Sequence, residues 1–234
     1  MQAWEQVREL RKAGKAEEAL RVGNELRAQT PEDIRIRQQV EWVYYDLAKR
    51  VVERTKAWLE DHSGAKPKHS DLEELRNWLH GYATLNPERP SMVTSFLLLQ
   101  LQKIGQHFDA YVPFLMWISL NPFRSEDLVC EQSGDKEYPP RALGVAREAA
   151  AWIKTRPNAT PDQIAYVIAL AQMVQSAMTD ADGIWLDWDL VNLLKRAGHR
   201  GAAADVLGRV LKKKGGEFWV WKEAADLYRD DQPE

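Results

Sequence analysis

The side chains of this sequence that could do chemistry are aromatic and basic, and they are concentrated towards its C-terminal end. The stretch GGEFWVWKEAADLY places Phe218, Trp219 and Trp221 within four positions. Residues 195–214 hold seven Lys or Arg residues and a single acid, Asp205. Aromatic rings next to cations suit the binding of an acidic peptide or of a nucleic-acid backbone. Lysines at a helix end are also favoured by the helix dipole alone, so the sequence leaves both interpretations open.

Groups that would carry catalysis or bind a metal are not arranged for either task. The five histidines are scattered, and no two of them stand at metal-ligand spacing on one helix. Cys130 has no visible base, and the sequence has neither a glycine-rich phosphate loop nor a nucleophile elbow. We therefore predict a protein that is not an enzyme and that uses no metal or other cofactor. A hydrolase with a site assembled from acids in the middle of the chain is the alternative.

The composition is that of a folded chain with a substantial core. Hydrophobic residues make up 44% and charged residues 29% of the 234 residues, a length that fits one large domain or two small ones. The net charge of −3 argues against a globally basic nucleic-acid binder. A single cysteine excludes an internal disulfide, and the charged N-terminus MQAWEQVREL lacks the apolar run of a signal peptide. No apolar stretch is long enough to span a bilayer, so we expect a cytoplasmic protein that does not contact membranes.

Ten tryptophans are the unusual feature of the composition. Burying one aromatic side chain removes roughly 150–250 Å² from water, worth several kcal/mol at about 25 cal/mol per Å². Stacking an exposed Trp on a base gains only about 1–3 kcal/mol, so most of the ten should be core. On a helical wheel the wide apolar arc, expected to be buried, consists of Phe218, Val220, Trp221, Ala224, Ala225, Leu227 and Tyr228. Trp219 lies on the polar arc, as Trp185 does in its own helix. For these last two residues, contact with a partner and packing under a loop are equally good explanations.

The hydrophobic periodicity is helical nearly everywhere, which predicts an all-α fold. Capping boxes at Ser70 and Thr160 mark two helix starts. Residues 121–140 are the least periodic part, and their prolines and Gly134 predict a connector with one helical turn near 125–130. The predicted helices span residues 2–13, 15–29, 31–61, 70–85, 91–108, 111–120, 140–155, 161–179, 183–197, 200–214 and 217–229.

Two segments of the sequence repeat each other at an offset of 184 residues. The paired residues are Trp4 and Trp188, Val7 and Val191, Leu10 and Leu194, Gly14 and Gly198, and Ala19 and Ala203. This pattern fits two antiparallel helices, because the glycine ends the first helix and the alanine is small where the second helix crosses it closely. The spacing of Gly14, Ala19 and Pro31 resembles that of the tetratricopeptide (TPR) repeat, although Gly215 replaces the proline in the C-terminal copy.

The resemblance covers residues 1–50 and 183–230. It implies one helical-repeat domain over residues 1–234, folded as a right-handed α-solenoid of about ten helices with an irregular middle at 51–182. In such modules a partner binds in the concave groove lined by the first helix of each hairpin. Carried over position by position, the groove residues are Arg8, Arg11, Lys12, Trp185, Trp188, Asn192, Lys195, Arg196, Trp219 and Lys222. For Trp188, packing between helices is the alternative explanation.

The function implied is a non-enzymatic scaffold that binds a protein or peptide of acidic character in an aromatic and basic groove. The Trp-rich helices ending in EFWVWKEAADLY also resemble the TPR-type N-terminal region of bacterial anti-phage conflict-system proteins, in which RNA-binding-like β-barrels lie downstream. That resemblance implies the alternative function, an RNA- or nucleic-acid-binding module of an anti-phage defence protein. The sequence reaches RDDQPE where a hairpin's second helix would begin. We therefore expect a fragment of a longer protein, or self-association through the incomplete hairpin.

Overall fold

Eleven α-helices carry most of the regular structure in the residues that the structure describes. This structure is a computed structural model, and it describes residues 2–178 and 183–229. The mostly helical fold predicted from the periodicity is confirmed. Residue 179 at the end of one predicted helix, the residues after Arg229 and the side chain of Tyr228 lie outside the described part of the chain. The helices are α1 (Ala3–Lys12), α2 (Ala16–Gln29), α3 (Ile34–Asp61), α4 (His69–Thr84), α5 (Met92–Leu101), α6 (Tyr111–Ile118), α7 (Arg141–Lys154), α8 (Pro161–Ala177), α9 (Ile184–Arg196), α10 (Arg200–Lys214) and α11 (Phe218–Arg229).

The connector at residues 121–140 is more ordered than predicted. A 3-10 turn at Ser125–Leu128 confirms the expected helical turn. Two short antiparallel strands follow, β1 (Glu131–Ser133) and β2 (Lys136–Tyr138), and Gly134 has a φ of 63° in the turn between them. The prediction missed these strands because three residues are too few for an alternating pattern to show.

Three of the predicted helix boundaries are wrong. Helix α3 begins at Ile34 rather than at residue 31, and Asp33 is its N-cap. Helix α5 ends at Leu101 rather than near residue 108. Helix α4 begins at His69, so Ser70 is not its N-cap. The capping box at Thr160 is confirmed, because its hydroxyl oxygen accepts a hydrogen bond from the backbone N–H of Gln163, whose side chain accepts one from the backbone N–H of Thr160.

The chain divides into two compact units, Met1–Ala110 and Tyr111–Glu234. In the first unit α1 packs against α2 and α3, α2 packs against α3, and α3 packs against α4 and α5. In the second unit α7 and α8 pack against each other and against α9, α9 packs most extensively against α10, and α10 packs against α11. The single domain expected from the sequence stays a prediction.

The internal repeat is confirmed at the level of the local backbone. Gly14 and Gly198 have φ values of 75° and 79°, in the left-handed region that favours glycine. After both helices the glycine N–H donates to the carbonyl three residues back, and the next N–H donates to the carbonyl five residues back. Ala19 and Ala203 are fully buried where the second helix of each pair packs on the first. The same kind of turn therefore joins α1 to α2 and α9 to α10.

Candidate functional site

Three of the predicted partner-binding residues, Arg8, Arg11 and Lys12, lie on α1 of the first unit. Arg8 Nε lies 3.1 Å from Oε1 of Glu9. Arg11 Nε lies 3.0 Å from Oδ2 of Asp46, so this ion pair joins α1 to α3. The side chain of Lys12 is 60% exposed, and its ammonium lies 3.5 Å from Glu9. Lys12 is therefore the most accessible of the three cations.

The three tryptophans of the predicted C-terminal site pack against one another. The rings of Trp185 and Trp219 are stacked with their centres 6.1 Å apart, and Trp188 meets Trp219 edge to face at 4.6 Å. The ammonium of Lys214 lies 5.8 Å from the centre of the Trp185 ring. Trp219 is therefore half-buried between α9 and α11, and its packing partners are helices rather than a loop. Lys222, three residues later on α11, is exposed.

The predicted buried arc of α11 is confirmed for three residues and wrong for three. The buried residues are Val220, Ala224 and Leu227. Phe218, Trp221 and Ala225, which the helical wheel placed in the same arc, are exposed, the first two by 81% and 56%. The helical-wheel prediction placed the whole apolar arc towards the core. In the structure, α11 packs on its neighbours through a narrower arc of smaller side chains. Part of the wide apolar arc consequently faces outward.

Arg196 has a structural role as well as a place in the candidate site. Its guanidinium donates hydrogen bonds to the backbone carbonyl oxygens of Ile153, Arg156 and Pro157, the last at 2.9 Å. These carbonyls lie at or just beyond the end of α7. Arg196 therefore attaches α9 to the end of α7.

The basic stretch at residues 195–214 does not form one free stripe. Lys195 on α9 forms an ion pair with Glu223 on α11. Nη2 of Arg209 on α10 donates to Oδ1 of the buried Asp187 at 2.9 Å. Part of the positive charge in this stretch is thus committed to contacts between helices, whereas Lys212 and Lys213 are exposed at the end of α10.

Three of the predicted residues meet at one cavity between α7 and α9. Trp188, Asn192 and Arg196 line it from α9, and Lys154 lines it from the last turn of α7. The cavity volume is about 290 Å³. The sequence did not indicate Lys154, because α7 lies outside the TPR-like segments and a lysine in the last turn of a helix is too common to mark a site. The other lining residues are Ala150, Ala151, Ile153, Asp189 and Leu193.

Positive charge predominates at this cavity. Asp189 is the acid among the lining residues, and its Oδ2 accepts a hydrogen bond from Nε of Arg147 at 3.2 Å. Burial raises the pKa of Asp189, and the hydrogen bond and charge of Arg147, together with the charge of Lys154, act against that rise. With Asp189 paired to Arg147, the charges of Lys154 and Arg196 give the lining a net positive charge. Such a site suits an acidic group.

The class of protein that these observations define is a helical protein built from packed helix pairs, with a basic cavity between two of its helices. A family described as a domain of unknown function (DUF7017) matches residues 184–234, so the match begins at the first residue of α9. No curated protein matches the chain. In the described residues, no helix is both long and apolar enough to cross a membrane. Within the same ranges, no group of three or more His, Cys, Asp or Glu residues could hold a metal ion.

Proposed function

We propose that this protein is a cytoplasmic, non-enzymatic scaffold that binds an acidic protein or peptide segment along α7, α9 and α11. One observation carries the proposal. Trp188, Asn192 and Arg196, which the TPR-like spacing selects as partner contacts, line a single cavity together with Lys154. Residues selected by their sequence positions on one helix can line a cavity only where the neighbouring helices leave that side of the helix uncovered.

The cavity suits one anchoring side chain of a partner. Its volume of about 290 Å³ is at the small end of ligand pockets, which span roughly 300–1,000 Å³. Its lining includes the apolar residues Ile153 and Leu193 and the aromatic residue Trp188. Lys154 and Arg196 supply positive charge beside these apolar groups. A partner segment with an apolar anchor and acidic neighbours would meet both requirements.

The proposed architecture of this surface is a TPR-like solenoid. In it α7, α9 and α11 are the first helices of successive pairs, and α8 and α10 are the second helices. The packing of α7 on α9 and the aromatic contacts of Trp185 and Trp188 with Trp219 support this assignment. In the first unit, Arg8, Arg11 and Lys12 would contribute the same kind of basic surface from the first helix of the N-terminal pair.

Binding of RNA is the second candidate, favoured by a different observation. Arg209, Lys212 and Lys213 line a cavity of about 220 Å³ beside Gln175 and Asp187. In this case the protein would be the nucleic-acid-binding helical module of a bacterial anti-phage defence protein. Phosphate binding releases counterions, so the affinity for RNA would fall steeply as salt is added.

Titration calorimetry on the full chain separates the two candidates. The probes are a short peptide with one Phe flanked on both sides by Glu residues, and an oligouridylate of similar length. We expect the peptide to bind, and Lys154→Ala to weaken its binding about 3- to 10-fold because a charge-assisted contact is lost. Lys56→Ala is the matched control, because it removes the same charge from an exposed pair with Glu60 in the first unit.

The outcome that contradicts the proposal is equal peptide affinity of the Lys154→Ala and Lys56→Ala variants. Absence of peptide binding, together with RNA binding that weakens steeply with salt, would favour the second candidate instead. In that case Lys212→Ala should weaken RNA binding and reduce the salt dependence.

A further inference from the structure

The outward side of α11 is apolar although none of the described helices covers it. Phe218 is 81% exposed and Trp221 is 56% exposed. With Lys222 and Ala225 they occupy positions i, i+3, i+4 and i+7, so all four share one face of the helix. The opposite side of α11 is buried against its neighbours. A helix that is apolar on both sides is normally covered on both.

The exposed aromatic pair is positioned beside positive charge. Nε1 of Trp221 donates a hydrogen bond to the carbonyl oxygen of Gly215 at 2.7 Å, which holds the indole against the turn after α10. The last turn of α10, directly before Gly215, consists of Lys212–Lys214. Among the described residues next to this patch, Lys212, Lys213 and Lys222 are exposed, and so is the acid Glu217. The surface therefore combines an aromatic patch with a basic border.

A second copy of the chain does not fit this surface. A large aromatic side chain buries about 150–250 Å², so Phe218 and Trp221, being only partly available, would bury roughly 600 Å² in total between two copies. Stable interfaces bury about 1,200–2,000 Å². Two copies meeting here would also bring their lysine borders together, which costs free energy. The area argues against a second copy, and the charge favours a partner of opposite charge.

We propose that the outward face of α11 binds an acidic amphipathic helix of a partner protein. The apolar side of that helix would pack on Phe218 and Trp221 as the next helix of the stack, and its acidic side chains would face the lysines. None of these residues lines the cavity between α7 and α9. The inference therefore stands whether or not that cavity binds a peptide.

Fluorescence anisotropy with a labelled helical peptide tests this inference on the full chain. The probe is a designed peptide of about five turns with Leu at positions i, i+3, i+4 and i+7 and Glu at the others. We expect saturable binding that Phe218→Ser weakens by about 10-fold or more. Leu120→Ser is the matched control, because Leu120 is 80% exposed and the change removes a comparable apolar side chain. A peptide with Lys in place of Glu should not bind.

Five results would overturn the inference. The first is that the glutamate peptide does not bind at concentrations up to about 1 mM. The second and third are that Phe218→Ser binds this peptide as tightly as the wild type does, and that the wild type binds the lysine peptide as tightly as the glutamate peptide. The fourth is that Lys154→Ala loses binding, which would locate the peptide in the α7–α9 cavity. Dimerisation of the protein alone that Phe218→Ser abolishes would assign the face to a second copy, and would also overturn it. Thermal melts of both serine variants should match the wild type, since both side chains are exposed.

Discussion

At the scale of single residues, Arg196 combines a place in a candidate site with a structural task. It lines the cavity between α7 and α9, and it also donates hydrogen bonds to three backbone carbonyls at or just beyond the end of α7. Arginine suits this task because its planar fork of donors reaches several acceptors at once. A variant of Arg196 therefore affects folding as well as partner binding, which is why Lys154 is the better probe of the cavity.

Arg196→Met should lower the free energy of unfolding by about 2–4 kcal/mol, because the charge-assisted hydrogen bonds that join α9 to the end of α7 are lost. Urea denaturation followed by circular dichroism measures the change. Arg21→Met is the control, since Arg21 forms only an exposed pair with Glu25 and its loss should cost about 0–1 kcal/mol. Equal unfolding midpoints for the two variants would show that the contacts to α7 contribute nothing.

Glu41 is a buried acid whose protonation should affect stability. Burial raises the pKa of Glu41 above the usual 4.5, and the negative charge of Glu88 raises it further. The positive charge of Arg37, whose Nε lies 3.8 Å from Oε1 of Glu41, acts against this rise. Because the folded-state pKa is above the unfolded value, the folded state binds the proton more tightly. The stabilisation of the folded state by protonation of Glu41 is therefore fully present below pH 4.5, and it is lost as the pH rises through the folded-state pKa.

Glu41→Gln should remove this pH dependence and should be more stable than the wild type at neutral pH, because no buried charge has to form. Urea unfolding at a series of pH values between about 4 and 8 measures the difference between the two proteins. Glu60→Gln, on the exposed part of the same helix, is the control and should follow the wild type. A constant difference between Glu41→Gln and the wild type over this range would contradict the assignment.

At the scale of elements, the sequence predicted helices and their turns well, because those features depend on local pattern. Gly14 and Gly198 end their helices as the repeat indicated, and Thr160 caps α8. The orientation of α11 could not be predicted in the same way. A helical wheel shows which arc is apolar, but only the neighbouring helices decide which part of that arc is covered, and Phe218 and Trp221 remain outside it.

The observed orientation of α11 makes a direct prediction about two adjacent aromatic residues. Trp219→Ala should lower the free energy of unfolding by about 2 kcal/mol, because its ring packs on Trp185 and Trp188 and is half-buried. Phe218→Ala should change it by less than about 0.5 kcal/mol, because Phe218 is exposed. Chemical denaturation of both variants tests the pair. The opposite order of stabilities would restore the orientation that the helical wheel predicted.

At the scale of the whole molecule, the residues selected by the TPR-like spacing divide into some that line a cavity and others that are engaged between helices. Trp188, Asn192 and Arg196 line one cavity, whereas Trp219 and Lys195 are engaged between α9 and α11. Sequence positions indicate which side of a helix faces a groove. Whether a neighbouring helix already occupies that side depends on packing over long sequence separations, which no local pattern contains.

The most direct test of the proposed function is to observe whether an acidic peptide reaches Trp188. Protein labelled with 5-fluorotryptophan gives one ¹⁹F signal for each tryptophan, and Trp188→Phe identifies the signal of interest. We predict that the Phe-centred glutamate peptide shifts the Trp188 signal while that of Trp58, on α3 in the first unit, stays in place. Saturable peptide binding that leaves the Trp188 signal unmoved would contradict the assignment of the α7–α9 cavity.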